Sequence, residues 1–594
     1  MRPLQLLLQS AALAAALFAT ASAATAPQEA ESPVAPRPRL VCRCQPDQPC
    51  WPLPDTWSSF NQTVGGRLIA TTPVSRECHQ PFYDEAKCAE IKKGYKHDRW
   101  RQLQPGAVQQ TNWETIKGVG CLLNQTTCEQ GAVPLYTVNA SSIADIQATV
   151  RFAAQHNVRL SVKNTGHDYL GRSTAASSVN LWTYFMKKLN VEPKFIPEGA
   201  PKDVQGADAV VVGPGVLWEE VNRVLDAHKR IVVGGAEATV GAVGGYCLGG
   251  GHSPLSPRHG LCVDNVLQYT VVTADGQVRV ANDYQNRDLF WALRGGGPGF
   301  GVIAEAVYRT HPALQNINYA TNFVYSENTT TINSIVREFY ANYGRWAKEG
   351  WSGYTYTTTK FTLMMFYLPD ADLDTAKASV KPYLDYARSF PDAQVSNDTI
   401  THHATYYDLF KTLIASPETE NAGHNYHLAS RLIPASMFQS KDGVDRLAST
   451  MAQIQDGLAQ IMPDGGYLTH LVAGGQVSRG NSRDTSVLPA WRRALSHIVI
   501  TGGWLDTTPY EGQVYVQDTL TRLVDRLRAI TPGMGAYQNE ADPNEPQFQQ
   551  NFFGSNYRRL KQLKKKYDRH SLFVCRRCVG SEDWDSDEVC PRRA

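Results

Sequence analysis

Apolar residues recur at helical spacing and then at strand spacing along much of the chain. Ser142-Ile-Ala-Asp145 has the form of a capping box, with Asp in place of the usual Glu or Gln. Ile143, Ile146, Val150 and Ala153 then mark one helical face. His156-Asn157 breaks that face, and Val158–Val162 alternates as a strand does. The unit recurs: Val221, Val224 and Leu225 share a face within Leu217–His228, and Ile231-Val-Val233 precedes Gly234-Gly235. Helix, strand and glycine in alternation predict an α/β arrangement that binds a phosphate-bearing ligand near strand ends. Residues 314–500 read differently. Tyr354-Thr-Tyr-Thr and Phe361-Thr-Leu-Met-Met-Phe-Tyr look like aromatic strands between helical stretches such as Asp372–Tyr386. That predicts α+β structure with an antiparallel sheet. Residues 41–130 are Cys-rich and Pro-punctuated and read as irregular. Leu560, Leu563 and Tyr567 lie at helical spacing within Gly554–Asp568, whose Lys564–Lys566 run reads as a solvated face.

With 42% hydrophobic and 19% charged residues in 594, the chain can bury a large core. A formal charge of +2 gives no field that would concentrate polyanions, so nucleic acid is not an expected partner. The N-terminus places Arg2 before an apolar run ending Ala-Ser-Ala23, the pattern of a secretory signal peptide over residues 1–23. Gln9 and the cleavage pattern favour this over a membrane anchor, and no later run is apolar enough to span a bilayer. A Cys-rich segment follows over residues 24–129. Secretion gives weight to five N-glycosylation acceptors, Asn61, Asn124, Asn139, Asn328 and Asn397.

Twelve cysteines in an oxidising compartment imply disulfides. Cys247 and Cys262, in a glycine-rich stretch, are expected to be buried and unpaired. Seven of the remaining ten precede residue 130 and three follow residue 570. Both numbers are odd, so if all ten pair, at least one bridge joins the two chain ends. Cys575-x-x-Cys578 has no second C-x-x-C and no spaced His pair, and H-E-x-x-H is absent, so no metal centre is expected.

Three segments are dense in glycine: Lys163–Ser173, Gly234–Gly260 and Arg294–Val302. Glycines let backbone N–H groups approach a pyrophosphate without a Cβ clash. Gly299-Phe-Gly301-Val-Ile-Ala304 fits G-x-G-x-x-A, but the residues after it read as strand, which argues against a NAD-type turn. There is no P-loop, and Gly251-His-Ser253-Pro-Leu255 lacks the last glycine of a nucleophile elbow.

Gly166-His167-x3-Gly171-x-Ser173, followed by the long glycine-rich segment, resembles the vanillyl-alcohol-oxidase/PCMH superfamily of FAD enzymes. Tyr537-Gln-Asn539-Glu-Ala-Asp542, then Phe553-Gly554, Asn556-Tyr557, Arg559-Leu560, Lys564 and Tyr567-Asp568, resembles the berberine-bridge-enzyme C-terminal motif. With Cys50-Trp51-Pro52 early and Val579–Trp584 late, the chain is similar to secreted fungal members over about residues 41–590.

The resemblance implies an α+β fold. A two-part FAD-binding PCMH-type domain, residues 130–313 and a C-terminal segment 506–594, would hold an inserted α+β substrate domain with an antiparallel sheet, residues 314–505. It implies FAD bonded covalently to His167. The cofactor would be cradled by Asn164, Thr165, Gly166, Asp168, Gly171, Arg172 and Ser173. The second and third segments would add Gly235, Thr239, Val240, Gly241, Gly244, Gly245, Gly250, Gly260, Asp264 and Val302, and the C-terminal motif Asn539. Many relatives add a cysteinyl bond from a residue two before Thr-Val-Gly. Glu237 stands there, so a second link is not expected. Gly235 occupies the family's oxygen-access position. Tyr537, Asn539 and Glu540 are the implied catalytic residues, with Tyr537 or Glu540 taking the substrate's proton; Tyr407, His427 and Arg431 read as ordinary sheet residues. The implied function is a secreted oxidase that moves a hydride from an alcohol-type substrate (a sugar, phenolic or secondary metabolite) to FAD and on to O2, giving H2O2. A dehydrogenase of the same fold, or a flavin-loaded binding protein, are the alternatives.

Overall fold

The computed structural model describes residues 40–414, 422–462 and 465–592. The signal-peptide reading falls outside them. The capping box forms: Asp145 N–H donates to Ser142 Oγ at 3.3 Å, and Asp145 Oδ2 accepts from the Ser142 amide at 3.0 Å. The helix it starts, Ile143–His156, ends where Asn157 turns left-handed at φ 50°. Its Ile146, Val150 and Ala153 are fully buried against Val158, Leu160, Val179 and Leu181 of the neighbouring strands.

Those strands make the first sheet. Tyr136–Asn139, Ser178–Trp182 and Arg159–Lys163 run parallel, and Leu68–Ala70 adds an antiparallel edge. The edge strand comes from the segment that read as irregular. That segment also holds helices Pro54–Thr63 and Glu85–Gly94, too short to show a periodic face, and anchors through Trp57 and Phe60 in the core of the first sheet. A second, antiparallel sheet has the order Leu189–Phe195, Ala207–Val212, Val302–Arg309, Val266–Val272, Val278–Ala281. Val302–Arg309 is thus a strand paired on both sides, as its residue pattern predicts.

The third sheet has seven antiparallel strands, all between Ile317 and Trp504. Helices Thr329–Glu349, Leu373–Arg388, Lys441–Ile461 and Tyr510–Ile530 share one core with it. In strand Ala494–Trp504, Ile498 and Ile500 enter this core. Strand alternation therefore sends His497 to the opposite face. His470, opposite His497 across the strand pair, goes with it.

Two expectations fail. Cys247 and Cys262 are bonded to each other. The turn through Gly251 folds the two segments together: the Cys262 amide donates to Gly251 O at 2.8 Å, and a Cβ on Gly251 would lie 2.6 Å from Cys262 Cβ. Spacing along the chain does not show such an approach. The parity argument survives because the two excluded cysteines pair with each other, and Cys42 does bond Cys590. The second failure is Lys564, which is buried in helix Tyr557–Tyr567. Its ammonium donates to Gly299 O (2.6 Å), Phe573 O (3.1 Å) and Asp568 Oδ2 (2.6 Å). Helical spacing turns Lys564 inward beside Leu560 and Leu563, while Lys565 and Lys566 stay exposed.

Candidate functional site

A cavity is bounded by residues from the first two sheets and by the C-terminal tail. The loop after strand Arg159–Lys163 forms one wall with Asn164, Thr165, Gly166, His167, Asp168, Gly171, Arg172 and Ser173. Val240, Gly241, Gly244, Gly245 and Val302 form another. Glycine is demanded by close approach at Gly241, where a Cβ would sit 2.0 Å from Asn164 Nδ2. Gly244 differs: at φ +106°, a Cβ there would meet no protein atom within 4 Å. That open space lies in the cavity and leaves room for a ligand against bare backbone.

Other expected cofactor residues lie elsewhere. A Cβ on Gly235 would come within 3.0 Å of Trp218 and 3.2 Å of Tyr246, so packing accounts for this glycine. Gly250 faces Val487 and Tyr537. Gly260 sits against Asp264, whose carboxylate holds the Leu261 amide and pairs with Arg492 through both oxygens. The sequence reading missed Arg159, Pro298, Phe573, Val574, Cys575 and Glu588, which also line the cavity. The buried Arg159–Glu588 pair and the Cys42–Cys590 bond bring both chain ends to this wall.

His167 lines the cavity, and its Nε2 lies 2.8 Å from Thr239 Oγ1. Thr239 does not line the cavity but contacts Asp98 Oδ2 at 2.7 Å and Glu237 Oε1 at 3.2 Å. Burial holds the imidazole neutral, with its pKa lowered to about 4 against the opposing pull of Asp98.

Asn539 links this cavity to a second cluster. Its amide donates to Gly245 O (2.9 Å), Tyr246 O (3.0 Å) and the Tyr537 hydroxyl (2.8 Å). Gly245 and Tyr246 are cavity residues. The next residue, Glu540, meets three histidines. Oε1 is 3.1 Å from His252 Nε2, Oε2 is 3.6 Å from His497 Nδ1, and His497 Nδ1 is 3.2 Å from His470 Nδ1. Tyr354, Trp491 and Tyr537 surround the His252 ring.

Burial drives the His470 pKa down to about 3 and His497 well below its ordinary value. Burial works against charge on Glu540, but His252, His497 and His470 outweigh it and bring the carboxyl to about 2. Glu540 therefore stands ionised at ordinary pH beside His470 and His497, which burial keeps neutral. Burial pushes the Tyr537 phenol far above its usual range, so it stays protonated. Of the two proposed proton acceptors, only the carboxylate is in a state to accept.

The four donors also lie close enough to hold a cation. However, the outward nitrogens His252 Nδ1 and His497 Nε2 are buried without partners. Imidazoles that bind metal normally donate from that side. None of the three histidines was singled out from the sequence as a site residue. Their signal is weak: one follows a run of glycines and the other two are single histidines within strand-like runs, far apart in sequence. Of the substrate-side residues that were noted, Arg431 bonds Thr531 from within strand Asn425–Pro434, and Tyr407 lies on helix Tyr406–Ile414. His427 contacts Asp542 of the C-terminal motif at 3.1 Å.

A family model described as FAD binding domain matches residues 134–282, and one described as berberine and berberine like matches residues 536–579. An uncharacterized FAD-linked oxidoreductase of Arthroderma benhamiae is 38% identical over 567 residues, 92% of this chain and 95% of its own length. The VAO-type flavoprotein oxidase VAO615 of Thermothelomyces thermophilus is 34% identical over 564 residues, 92% of this chain and 94% of that protein. The chain belongs to the VAO-type, berberine-bridge-like family. It is an FAD-dependent oxidoreductase. The crystal structure of the VAO-type flavoprotein MtVAO713 from Myceliophthora thermophila C1 matches the fold with a TM-score of 0.84 at 27% identity, covering 92% of this chain and 98% of that one. The α+β architecture is the family's. The open backbone at Gly244 and the unengaged side of His167 suit the FAD that this family carries.

Proposed function

We propose that this FAD-linked oxidoreductase is an exported oxidase of alcohol-type substrates, with His167 as the covalent FAD anchor and Glu540 as the proton acceptor. The observation that carries the reading is the placement of Glu540. It lies one residue beyond Asn539, whose amide bonds the cavity backbone, and its side chain is 24% exposed beside the His252, His470 and His497 rings. FAD, when bound, accepts a hydride equivalent and passes the electron pair to a second acceptor.

The protein's own groups do the rest. Glu540 takes the hydroxyl proton as the hydride leaves, and the His252 Nε2 donor bonded to Oε1 holds the carboxylate in place. His470 and His497 wall the other oxygen. Tyr537 acts as a fixed neutral donor, held by Asn539. Relatives called oxidases support O2 as the acceptor, and the six disulfides support export. Among the described residues no helix is long and apolar enough to cross a membrane. Exposed Asn124 and Asn328 are the best placed glycan acceptors. Residues 130–313 with 506–594 form the cofactor half in this reading, and residues 314–505 cover the substrate.

With all described cysteines paired, no free thiol is at hand for a second flavin bond. Glu237 occupies that position and reaches Thr239 instead. The test is anaerobic mixing of the flavin-loaded enzyme with a panel of alcohols, sugars and amines, followed by air. Bleaching by an alcohol, then peroxide on aeration, is expected. Bleaching that only an artificial dye reverses would make the enzyme a dehydrogenase, and no bleaching by any candidate would favour a binding role.

A further inference from the structure

We propose that Asp98 and Thr239 form a relay that fixes the tautomer of His167 and removes its Nε2 proton as the covalent flavin bond forms. This rests on the reading of His167 as the anchor and assigns residues to the making of that bond.

The proton positions follow from the contacts. Asp98 Oδ1 accepts from the Arg99 amide at 2.6 Å, which orients the carboxylate. Its Oδ2 lies 2.7 Å from Thr239 Oγ1. The Thr239 hydroxyl donates to this oxygen, so its single hydrogen points at Asp98. The hydroxyl oxygen then offers a lone pair to His167 Nε2, 2.8 Å away, and Nε2 must carry the hydrogen. Glu237 does not reverse this. Its Oε1 is the more distant acceptor, 3.2 Å from the hydroxyl against 2.7 Å for Asp98, and already accepts the Thr239 amide at 3.4 Å. The lone pair of the ring is thereby placed on Nδ1, which has no hydrogen-bond partner among the described residues, in a side chain that lines the cavity.

The relay is held by its own scaffold. Gln109 bonds Asp98 O (3.3 Å) and Thr165 O (2.9 Å), its amide bonds Gly166 O (3.1 Å), and Gln102 bonds Thr239 O (3.2 Å). Asp98 lies in the Cys-rich segment, outside the residues 134–282 matched as FAD binding domain. The segment that read as irregular thus supplies a group to the cofactor site.

The step balances as follows. Nδ1 forms a bond to the 8α carbon of FAD, and that carbon gives up one hydrogen as a proton. The alkylated ring gives up its Nε2 proton through the Thr239 hydroxyl to Asp98. The electron pair left on the flavin is taken by O2, which with the two protons becomes H2O2.

The test is a time course of covalent attachment in apoprotein supplied with FAD in air, for wild type, Asp98→Asn, Thr239→Val and Thr239→Ser. The readouts are flavin retained after acid precipitation and the mass of the His167 peptide. Attachment in Asp98→Asn and Thr239→Val should slow on the order of 10²-fold, the usual scale for a lost proton acceptor. FAD should still bind non-covalently, and Thr239→Ser, which keeps the hydroxyl, should attach near the wild-type rate. Wild-type rates in Thr239→Val with full FAD occupancy would overturn the relay. Should Asp98→Asn not fold, the Val and Ser pair at position 239 decides. Covalent flavin persisting in His167→Ala would instead overturn the anchor reading.

Discussion

Replacing Glu540 by Gln keeps the shape of the side chain and removes the charge. Gln can still accept from His252 Nε2 through its amide oxygen, at the position where Oε1 now lies 3.1 Å away. It cannot take a proton, and its NH2 turns toward His497, which burial keeps neutral. Loss of a positioned general base costs ~10²–10⁴ in rate, or ~3–5 kcal/mol in the barrier. That loss should fall on flavin reduction, measured by anaerobic stopped-flow at the flavin absorbance. Reoxidation by O2 and flavin content should stay near wild type, because Glu540 does not line the cofactor cavity. In the wild type, reduction should show no acid limb across mildly acidic pH. The Glu540 carboxyl is lowered to about 2, so the ionised base persists until well below the usual carboxylate range. Tyr537→Phe is the control: it deletes a hydroxyl that is protonated throughout and should slow reduction far less. Wild-type reduction in Glu540→Gln would refute the assignment and move the search to other parts of the seven-stranded sheet.

Three further outcomes are expected. Cys42→Ser/Cys590→Ser opens a closure across 548 residues, a loss of ~6 kcal/mol by loop-closure entropy. For a chain of this size that is ~5 °C in Tm by calorimetry, and an unchanged Tm would refute the clamp. Acid should destabilise the fold through His470, whose folded pKa of about 3 lies below its unfolded value. The unfolded state then binds more protons, so stability is full above about pH 6.5 and falls by ~1.4 kcal/mol per unit toward the folded value. His470→Gln should flatten that slope in denaturant titrations at pH 7 and 5, and an unchanged slope would count against it. Dialysis against a chelator should leave the flavin reduction rate unchanged; a loss restored by a divalent cation would show that the His252–His470–His497–Glu540 cluster works as a metal centre.

What could be read from the sequence depended on how local the signal was. The Ser142–Asp145 capping box needs only four consecutive residues, and it forms as predicted. The His167 loop and the Tyr537–Asp542 motif are also short and contiguous, and both reach the cofactor region. The histidine cluster has no such form. His252, His470 and His497 come from a glycine-rich loop and two strands, and only the register that sets His470 against His497 brings them together. Lys564 was misread because a run of three lysines looks solvated, although helical geometry turns one of the three inward.

Glycine shows a different limit. Sequence reading treats every glycine near a phosphate motif as room for a ligand. The structure separates two reasons for the same residue. At Gly244 the missing side chain leaves open space in the cavity, whereas at Gly235 it makes room for Trp218. A Cβ at Gly235 would press on Trp218 at 3.0 Å and Tyr246 at 3.2 Å, so Gly235→Ala should cost packing unless both rings give by a few tenths of an ångström, whether or not O2 passes nearby. Oxygen access at Gly235 therefore has to be tested with Trp218 also reduced in size. A rate effect that appears only with Gly235→Ala in a background that packs normally would speak for access. One that tracks loss of Tm would speak for packing.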